Sequence, residues 1–209
     1  MLALALDTST AAVTVALHDG TSVVAESTTV DAMRHGELLA PAIAAVLTDA
    51  GVDRRALTEV LVGVGPGPFT GLRVGLVTAR VLGAVLSLPV RGACSLDVLA
   101  AGVRVDGPFV VATDARRKEV YWAAYDGHGR RTYGPHVARP ADVATDLPTA
   151  GRGPELAPEA FPHEVAPTYP SAADLASAAL AGSLELRDPE PLYLRRPDAA
   201  VPGDRKRVS

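Results

Sequence analysis

The sequence predicts an α/β fold of two lobes, each built around a mixed sheet. Three observations support this prediction. Strands precede and separate the helical segments of the first half, one strand runs directly into a Gly-Pro loop and a long helix, and the opening pattern returns about half a chain later. The 209 residues, 48% of them hydrophobic, are enough to bury a full core.

The first half predicts the element order βββαβαβ. Apolar runs and turn residues place strands at about residues 2–6, 13–18, 22–30, 61–64 and 88–90. A helix is expected from about residue 32 to residue 50, because Leu39, Ile43 and Val46 recur at helical spacing. Gly51 is suited to close this helix, and Pro41 either kinks it or marks a late start.

The second helix has a face with almost no side chains. The loop 65–69 leads into it, Thr70 is expected to cap it, and it should run to about residue 87. Small residues recur at every fourth position: Gly71, Gly75, Ala79 and Gly83. Because a glycine inside a helix costs about 1 kcal/mol relative to alanine, this stripe predicts a very close neighbour. A contact within the chain and a contact with another chain both remain open.

The second half repeats the first at an offset of 107 residues. That offset aligns Asp7 with Asp114 and Gly20 with Gly127, so each half opens with a strand, an aspartate, a turn and a strand. A capping box at Ser171 predicts a later helix. The predicted division is a first lobe at 1–103, a smaller second lobe at 104–190 and an extended tail at 191–209, the extended character starting from Asp188.

Composition excludes several classes of protein. A net charge of −4 gives no basic field for gripping nucleic acid without a partner. The single cysteine, Cys94, rules out an internal disulfide and fits a reducing compartment. The N-terminus lacks the features of a signal peptide and no apolar run is expected to span a membrane, so a cytoplasmic location is predicted.

Specific strings point to a known family. The chain contains Leu-Asp-Thr-Ser-Thr at 6–10, Gly-Pro-Gly-Pro-Phe-Thr-Gly-Leu-Arg at 65–73, Asp-Ala-Arg at 114–116 and Glu-Pro-Leu-Tyr-Leu-Arg at 190–195. Together they resemble the TsaB (YeaZ) family, the partner subunits of the bacterial enzyme TsaD, which makes N6-threonylcarbamoyladenosine beside the tRNA anticodon. The two lobes fit the actin-like and Hsp70-like (ASKHA, ribonuclease H-like) fold. Pro68 departs from the serine that is usual in this family.

The resemblance implies a non-catalytic scaffold that docks TsaD. The implied interface, which also serves for a homodimer of the isolated chain, lies on the two helices of the first lobe and includes His35, Leu38, Leu39, Ile43, Gly71, Leu72, Gly75, Ala79 and Gly83. The ATPase TsaE and the tRNA would be reached only through the complex. No membrane partner is implied.

The same resemblance argues against catalysis by this chain. TsaD holds its metal with a His-x-x-x-His pair, and Ser95 and Leu99 stand at those two positions here. Leucine cannot bind a metal and neutral serine is a poor ligand. No metal, cofactor or catalytic residue is therefore expected. Asp7, Thr8 and Ser9 are assigned to a vestigial nucleotide site, and the alternatives are an ATP-dependent small-molecule kinase of the actin-like fold or a metalloprotease.

Overall fold

The structure is a computed structural model that describes residues 1–195. Within that range the chain forms eleven strands and five α-helices. The strands are β1 (Ala3–Asp7), β2 (Ala12–His18), β3 (Val23–Val30), β4 (Glu59–Gly63), β5 (Val90–Ala93), β6 (Phe109–Asp114), β7 (Val120–Tyr125), β8 (Arg131–Ala138), β9 (Thr149–Ala150), β10 (Glu164–Val165) and β11 (Leu186–Arg187). The helices are α1 (His35–Asp49), α2 (Phe69–Leu86), α3 (Ser95–Ala101), α4 (Gly153–Leu156) and α5 (Ala172–Leu180).

The first sheet has the strand order β11-β5-β4-β1-β2-β3. Strands β1 to β3 form an antiparallel meander, and β4 and β5 continue the sheet parallel to β1. The predicted order βββαβαβ is confirmed, apart from a short 3₁₀ turn before β4. Strand β5 begins at Val90, later than the sequence placed it, because Leu88 and Pro89 complete the turn out of α2.

Helix α1 begins later than predicted, at His35, and Pro41 lies inside its second turn. The expected role of Gly51 is confirmed. Its φ of +64° is a left-handed conformation that favours glycine. The Gly51 N–H donates to the carbonyl of Thr48, and the Val52 N–H donates to that of Leu47, both at 2.9 Å. This pair of hydrogen bonds is the Schellman motif, which satisfies carbonyls left free at a helix end.

The expectation that Thr70 caps α2 is wrong. Pro68 occupies the cap position, Thr70 already lies in the first turn, and no side chain caps this end. The fixed φ of proline near −60° lets the loop enter the helix two residues earlier than expected. The N–H groups of the first turn are therefore left without a side-chain partner at this end of the helix.

The second sheet, β10-β9-β6-β7-β8, repeats the arrangement of the first. Strands β6 to β8 form an antiparallel meander, and β9 pairs in parallel with β6, as β4 does with β1. Asp114 ends β6 opposite Val120, and Asp7 ends β1 opposite Thr14. Each aspartate therefore closes the first strand of a hairpin, as the repeat in the sequence predicted.

The chain returns to the first sheet after building the second. Helix α5 packs against β1 and β2, and β11 pairs with β5 and forms the edge of this sheet. The predicted cap is confirmed, since the Ser171 hydroxyl accepts hydrogen bonds from the N–H groups of Ala173 and Asp174. Residues 172–187, which the sequence assigned to the second lobe, thus cover the first sheet, because the apolar face of α5 is buried there with Leu175 at 0% exposure. The division into a first lobe at 1–103 and a second lobe at 104–190 remains a prediction.

Residues 188–195 correct the expectation of an extended tail. This segment, which we call the strap, passes over α2 and ends at the second lobe. Arg80 donates to the carbonyl of Pro189 at 2.6 Å, and the Leu192 N–H donates to the carbonyl of Val64 at 2.8 Å. Arg195 donates to the carbonyl of Ala115 at 3.0 Å and pairs with Glu119. The segment is fixed because Leu192 packs against the cores of both lobes. Residues 196–209 of the predicted tail lie outside the described residues.

Candidate functional site

The glycine stripe of α2 contacts the chain's own first sheet. A Cβ atom added to Gly71 would lie 2.6 Å from the carbonyl oxygen of Thr8, and one added to Gly75 would lie 2.5 Å from the Thr8 hydroxyl. At Gly83 it would lie 2.3 Å from Val90 Cγ2, and Ala79 is fully buried. The close neighbour that the stripe predicts is therefore the end of β1 and strand β5. Assigning these four positions to a partner interface needs correction.

The other residues of the predicted interface are also mostly buried within the chain. Leu39, Ile43 and Leu72 belong to the core between the helices and the sheet, and Leu38 packs against its edge. His35 lies in a hydrogen bond with the carbonyl of Thr10 at 2.7 Å. A helix that covers a sheet has an inward face as well as an outward one, and these residues occupy the inward face. They support the helices rather than forming their accessible surface.

The outward faces of α1 and α2 carry exposed apolar residues, and the charged residues Glu37 and Asp49 on α1 and Arg73 and Arg80 on α2 are exposed as well. Both helices pack on the same face of the first sheet, so their outward faces point in the same direction. On α2 the exposed valines Val77, Val81 and Val85 are 57%, 54% and 74% exposed. On α1 the exposed positions 40, 41, 44 and 45 are all alanine or proline. We call these seven residues the docking face.

Helix α2 is also long and apolar enough, by length and composition alone, to cross a membrane. Its 18 residues have a mean hydropathy of 1.5. Among the helices of residues 1–195 it is the one whose length and composition would allow it to span a membrane. The sequence had predicted no apolar run of this length. The inward stripe that packs on the sheet and the outward valines together account for this apolarity, and core helices of α/β domains have the same property.

Asp7 is sealed beneath the loop that follows β1. Its carboxylate accepts hydrogen bonds from the Ser9 N–H and from the Ser95 hydroxyl, both at 2.7 Å. Burial raises the pKa of the Asp7 carboxyl above its usual value, although these hydrogen bonds act in the opposite direction. A Cβ at Gly63 would lie 1.8 Å from the carboxylate, so only glycine fits beside it.

Thr8 and Ser9 lie in the same buried loop. The Thr8 hydroxyl donates to the carbonyl of Gly71 at 2.7 Å and accepts from the N–H of Gly75 at 3.0 Å, which ties β1 to α2. The Ser9 side chain is buried. The side chains of Asp7 and Thr8 are thus engaged within the first lobe, whereas the buried Ser9 hydroxyl has no hydrogen-bond partner among the described residues. None of the three residues lines the cavity described next.

A cavity of about 290 Å³ lies between the ends of the two hairpins. Its wall includes Thr10 after β1, Thr70 in the first turn of α2, Arg116 after β6, and Arg152 and Thr168 from the second lobe. These residues are far apart in the sequence, and no pattern in it predicted that they form one site. The offset of 107 residues offered a signal, since it aligns Ser9 with Arg116 and so places the two strand-end loops at corresponding positions.

The positions compared with a metal-binding histidine pair have other roles here. The Ser95 hydroxyl donates to Asp7, and Leu99 is fully buried in the second core. No group of three His, Cys, Asp or Glu residues within residues 1–195 is placed to hold a metal ion. Burial raises the pKa of the Cys94 thiol to about 11, which leaves it almost entirely protonated at neutral pH.

Relatives of known sequence cover most of the chain. Residues 23–199 match the family model described as TsaD, tRNA N6-adenosine threonylcarbamoyltransferase. An uncharacterized protein of Mycobacterium tuberculosis is 47% identical over 94% of this chain and 92% of the relative. An uncharacterized protein of Mycobacterium leprae is also 47% identical, over 95% of this chain, which spans only 56% of that relative's length. The TsaB protein of Bacillus subtilis is 36% identical over 60% of this chain and 55% of its own length.

The solved structures that resemble this chain point to the same family as its sequence relatives. YeaZ from Pseudomonas aeruginosa has a TM-score of 0.74 and 31% identity, covering 92% of this chain and 99% of that chain. A second Pseudomonas aeruginosa structure, described as similar to the peptidase YeaZ, has a TM-score of 0.78 at 31% identity, covering 93% of this chain and 99% of that chain. The predicted two-lobed α/β fold with mixed sheets is confirmed. The chain therefore belongs to the TsaD family, within its TsaB/YeaZ branch.

Proposed function

We propose that this protein is a non-catalytic subunit that docks TsaD in the formation of N6-threonylcarbamoyladenosine on tRNA. The proposal draws on relatives in Bacillus subtilis and Escherichia coli that are named tRNA threonylcarbamoyladenosine biosynthesis protein TsaB. The structural observation that carries it is the docking face, a set of seven exposed apolar residues on two helices that pack on the same face of the first sheet. Exposed apolar surfaces of this kind are typical of protein interaction sites.

The docking face suits a partner of the same architecture. The TsaD family model matches this chain from residue 23 to residue 199, so TsaD has counterparts of both helices. Two such helix pairs can pack face to face as a four-helix bundle with approximate two-fold symmetry. Complete burial of the three valines, which are 54–74% exposed in the isolated chain, contributes about 3 kcal/mol to the free energy of association. The same face would serve in a homodimer of the isolated chain, so homodimer and TsaD complex would compete for it.

The chain itself would supply no chemical step. The side chains of Asp7 and Thr8, which lie where other members of the fold would bind phosphates, are engaged in hydrogen bonds inside the lobe. Ser95 and Leu99 offer no pair of metal ligands. In this proposal TsaD carries the metal and the reaction, the ATPase TsaE and the tRNA are reached through the complex, and the protein works in the cytoplasm.

A pair of matched substitutions tests the proposal. Val81 and Val30 have the same exposure, 54%, but Val30 lies on β3, outside the docking face. We expect Val81→Glu to abolish co-elution with TsaD from the same organism in size-exclusion chromatography, because the carboxylate would be buried without a partner. Val30→Glu should co-elute like the wild type, and both variants should melt close to the wild-type temperature.

Other results would contradict the proposal. Retention of the complex by Val81→Glu would place the interface elsewhere. Formation of modified tRNA by the isolated chain, without TsaD, would show that it is catalytic. ATP turnover by the isolated chain would instead favour the kinase alternative.

A further inference from the structure

The cavity between the two hairpins contains groups that bind anions. Two of its wall residues are arginines, Arg116 from the loop after β6 and Arg152 from the loop after β9. Four threonines, Thr10, Thr70, Thr113 and Thr168, line the same wall, and so does one carboxylate residue, Asp114. Guanidinium and hydroxyl groups that converge on one space are the common protein donors to phosphate oxygens.

The two arginines retain donors for a ligand. The Arg116 guanidinium lies 3.4 Å from Asp114, a long contact, and its side chain is 59% exposed. Arg152 donates from Nε to Glu155 at 2.9 Å, which leaves both of its terminal nitrogens outside that hydrogen bond. Because an arginine has five N–H donors, each side chain can keep its protein contact and still bind an oxyanion.

The loop that carries Arg116 is held in a strained conformation. Residues Arg116, Arg117 and Lys118 all have φ between +55° and +61°, a left-handed conformation that costs non-glycine residues about 1–2 kcal/mol each. The Asp114 carboxylate accepts the Arg116 N–H at 2.6 Å, and Arg195 of the strap donates to the neighbouring carbonyl of Ala115. Strain that several contacts maintain is typical of ligand-binding loops.

Neither of the two hairpin aspartates offers an unengaged carboxylate to the magnesium ion of a nucleotide. Of the two hairpin aspartates, Asp7 is sealed beneath its own loop, and Asp114 accepts the Arg116 N–H and faces its guanidinium. The volume of about 290 Å³ is at the lower limit of sites for drug-sized ligands, which are about 300–1,000 Å³. A small ligand that binds without a metal fits these observations better than a nucleoside triphosphate does.

We propose that this cavity is a metal-independent binding site for a small phosphate monoester, with Arg116 and Arg152 holding the phosphate group. The first turn of α2, which no side chain caps, adds the partial positive charge of a helix N-terminus beside Thr70. This site is separate from the docking face, so it does not depend on the proposed docking of TsaD.

A titration of the full chain with glycerol 3-phosphate tests the site. The experiment follows the melting temperature at constant ionic strength, with sodium chloride replacing the ligand and with EDTA present. We expect a saturable rise of about 3–6 °C at ten times the dissociation constant. Inorganic phosphate in a parallel titration shows whether the phosphate group alone is enough: saturable binding at least tenfold weaker is expected, since it lacks contacts for the ester portion.

Matched variants locate the binding. Arg116→Gln and Arg152→Gln should each weaken the apparent affinity about tenfold or more, because each removes a charge-assisted hydrogen bond. Arg130→Gln is the control, since Arg130 is an exposed arginine outside the cavity wall. Circular dichroism confirms that all three variants are folded before titration.

Four results would overturn the proposal. The first is a rise in the wild-type melting temperature with glycerol 3-phosphate that is no larger than the rise with sodium chloride at the same ionic strength. The second is an equal loss of affinity in Arg130→Gln and in the two cavity variants. The third is binding of inorganic phosphate as tight as that of glycerol 3-phosphate, which would mean that the cavity does not recognise an ester. The fourth is tighter binding of Mg-ATP that EDTA abolishes, which would indicate a metal-nucleotide site instead.

Discussion

Replacing Gly75 with alanine separates an inward role of the glycine stripe from an interface role. The added Cβ would lie 2.5 Å from the Thr8 hydroxyl and 3.4 Å from Leu6 Cδ1. The hydroxyl cannot move aside freely, because it donates to Gly71 and accepts from Gly75 itself. Overpacking of this kind costs up to about 3 kcal/mol, and alanine returns about 1 kcal/mol of helix propensity. The net loss is about 2 kcal/mol of unfolding free energy.

The assay is thermal unfolding followed by circular dichroism. For a chain of this length a loss of 2 kcal/mol lowers the melting temperature by about 4–8 °C. Gly36→Ala is the matched control, because Gly36 also lies in a helix and an added Cβ would meet nothing within 4 Å. We expect that control to melt at or slightly above the wild-type temperature. Partner affinity of folded Gly75→Ala should equal that of the wild type.

Two results together would contradict an inward role of the glycine stripe. Gly75→Ala would then melt at or above the wild-type temperature while binding of TsaD was lost. Such an outcome would mean that the stripe is free in the isolated chain and that another protein is its close neighbour.

Three further predictions concern the buried groups and the strap. Because burial raises the pKa of Asp7 in the folded protein, the wild type should lose stability relative to Asp7→Asn as the pH rises from below 3.8 through that raised pKa; a difference in unfolding free energy that does not vary with pH would contradict this. Leu192→Ala should lower unfolding free energy by about 1–2 kcal/mol, whereas removing residues 198–209 should leave the melting temperature within about 2 °C, and the reverse order would show that the strap adds no stability. Cys94 should react with a thiol reagent at pH 8 only after denaturant is added, since burial raises its pKa to about 11, and rapid labelling of the native protein would disprove its burial.

Local patterns in the sequence predicted the elements of the first lobe well. The meander of β1 to β3, both long helices, the closing role of Gly51 and the cap at Ser171 follow from periodicity and from capping chemistry between residues close in sequence. The repeat at an offset of 107 residues also predicted that an aspartate would end the first strand of each hairpin. These features depend on interactions within one element or between neighbouring elements.

The direction in which a helix faces could not be predicted in the same way. A stripe of small residues shows that something approaches closely, but a sheet and a second helix both satisfy that requirement. The neighbour proved to be Thr8 and Val90 of the same chain. The docking face on the opposite side has the ordinary composition of valine and alanine, which gives no separate signal in the sequence.

Contacts between distant parts of the chain were also missed. The strap has a proline-rich, basic composition that is typical of an extended tail, yet Leu192 contacts both cores and Arg195 reaches Ala115, 80 residues earlier. The cavity brings Thr10 together with Arg116 and Arg152, and only the folded arrangement of the two hairpins does so.

Site-specific photo-crosslinking tests the proposed docking most directly. A photoreactive amino acid replaces Val81 in one variant and the equally exposed Val30 in another. After each is mixed with TsaD and irradiated, we predict a crosslinked heterodimer from position 81 and none from position 30. A complex that forms in both cases but crosslinks to TsaD only from position 30 would contradict docking through the outward face of α1 and α2.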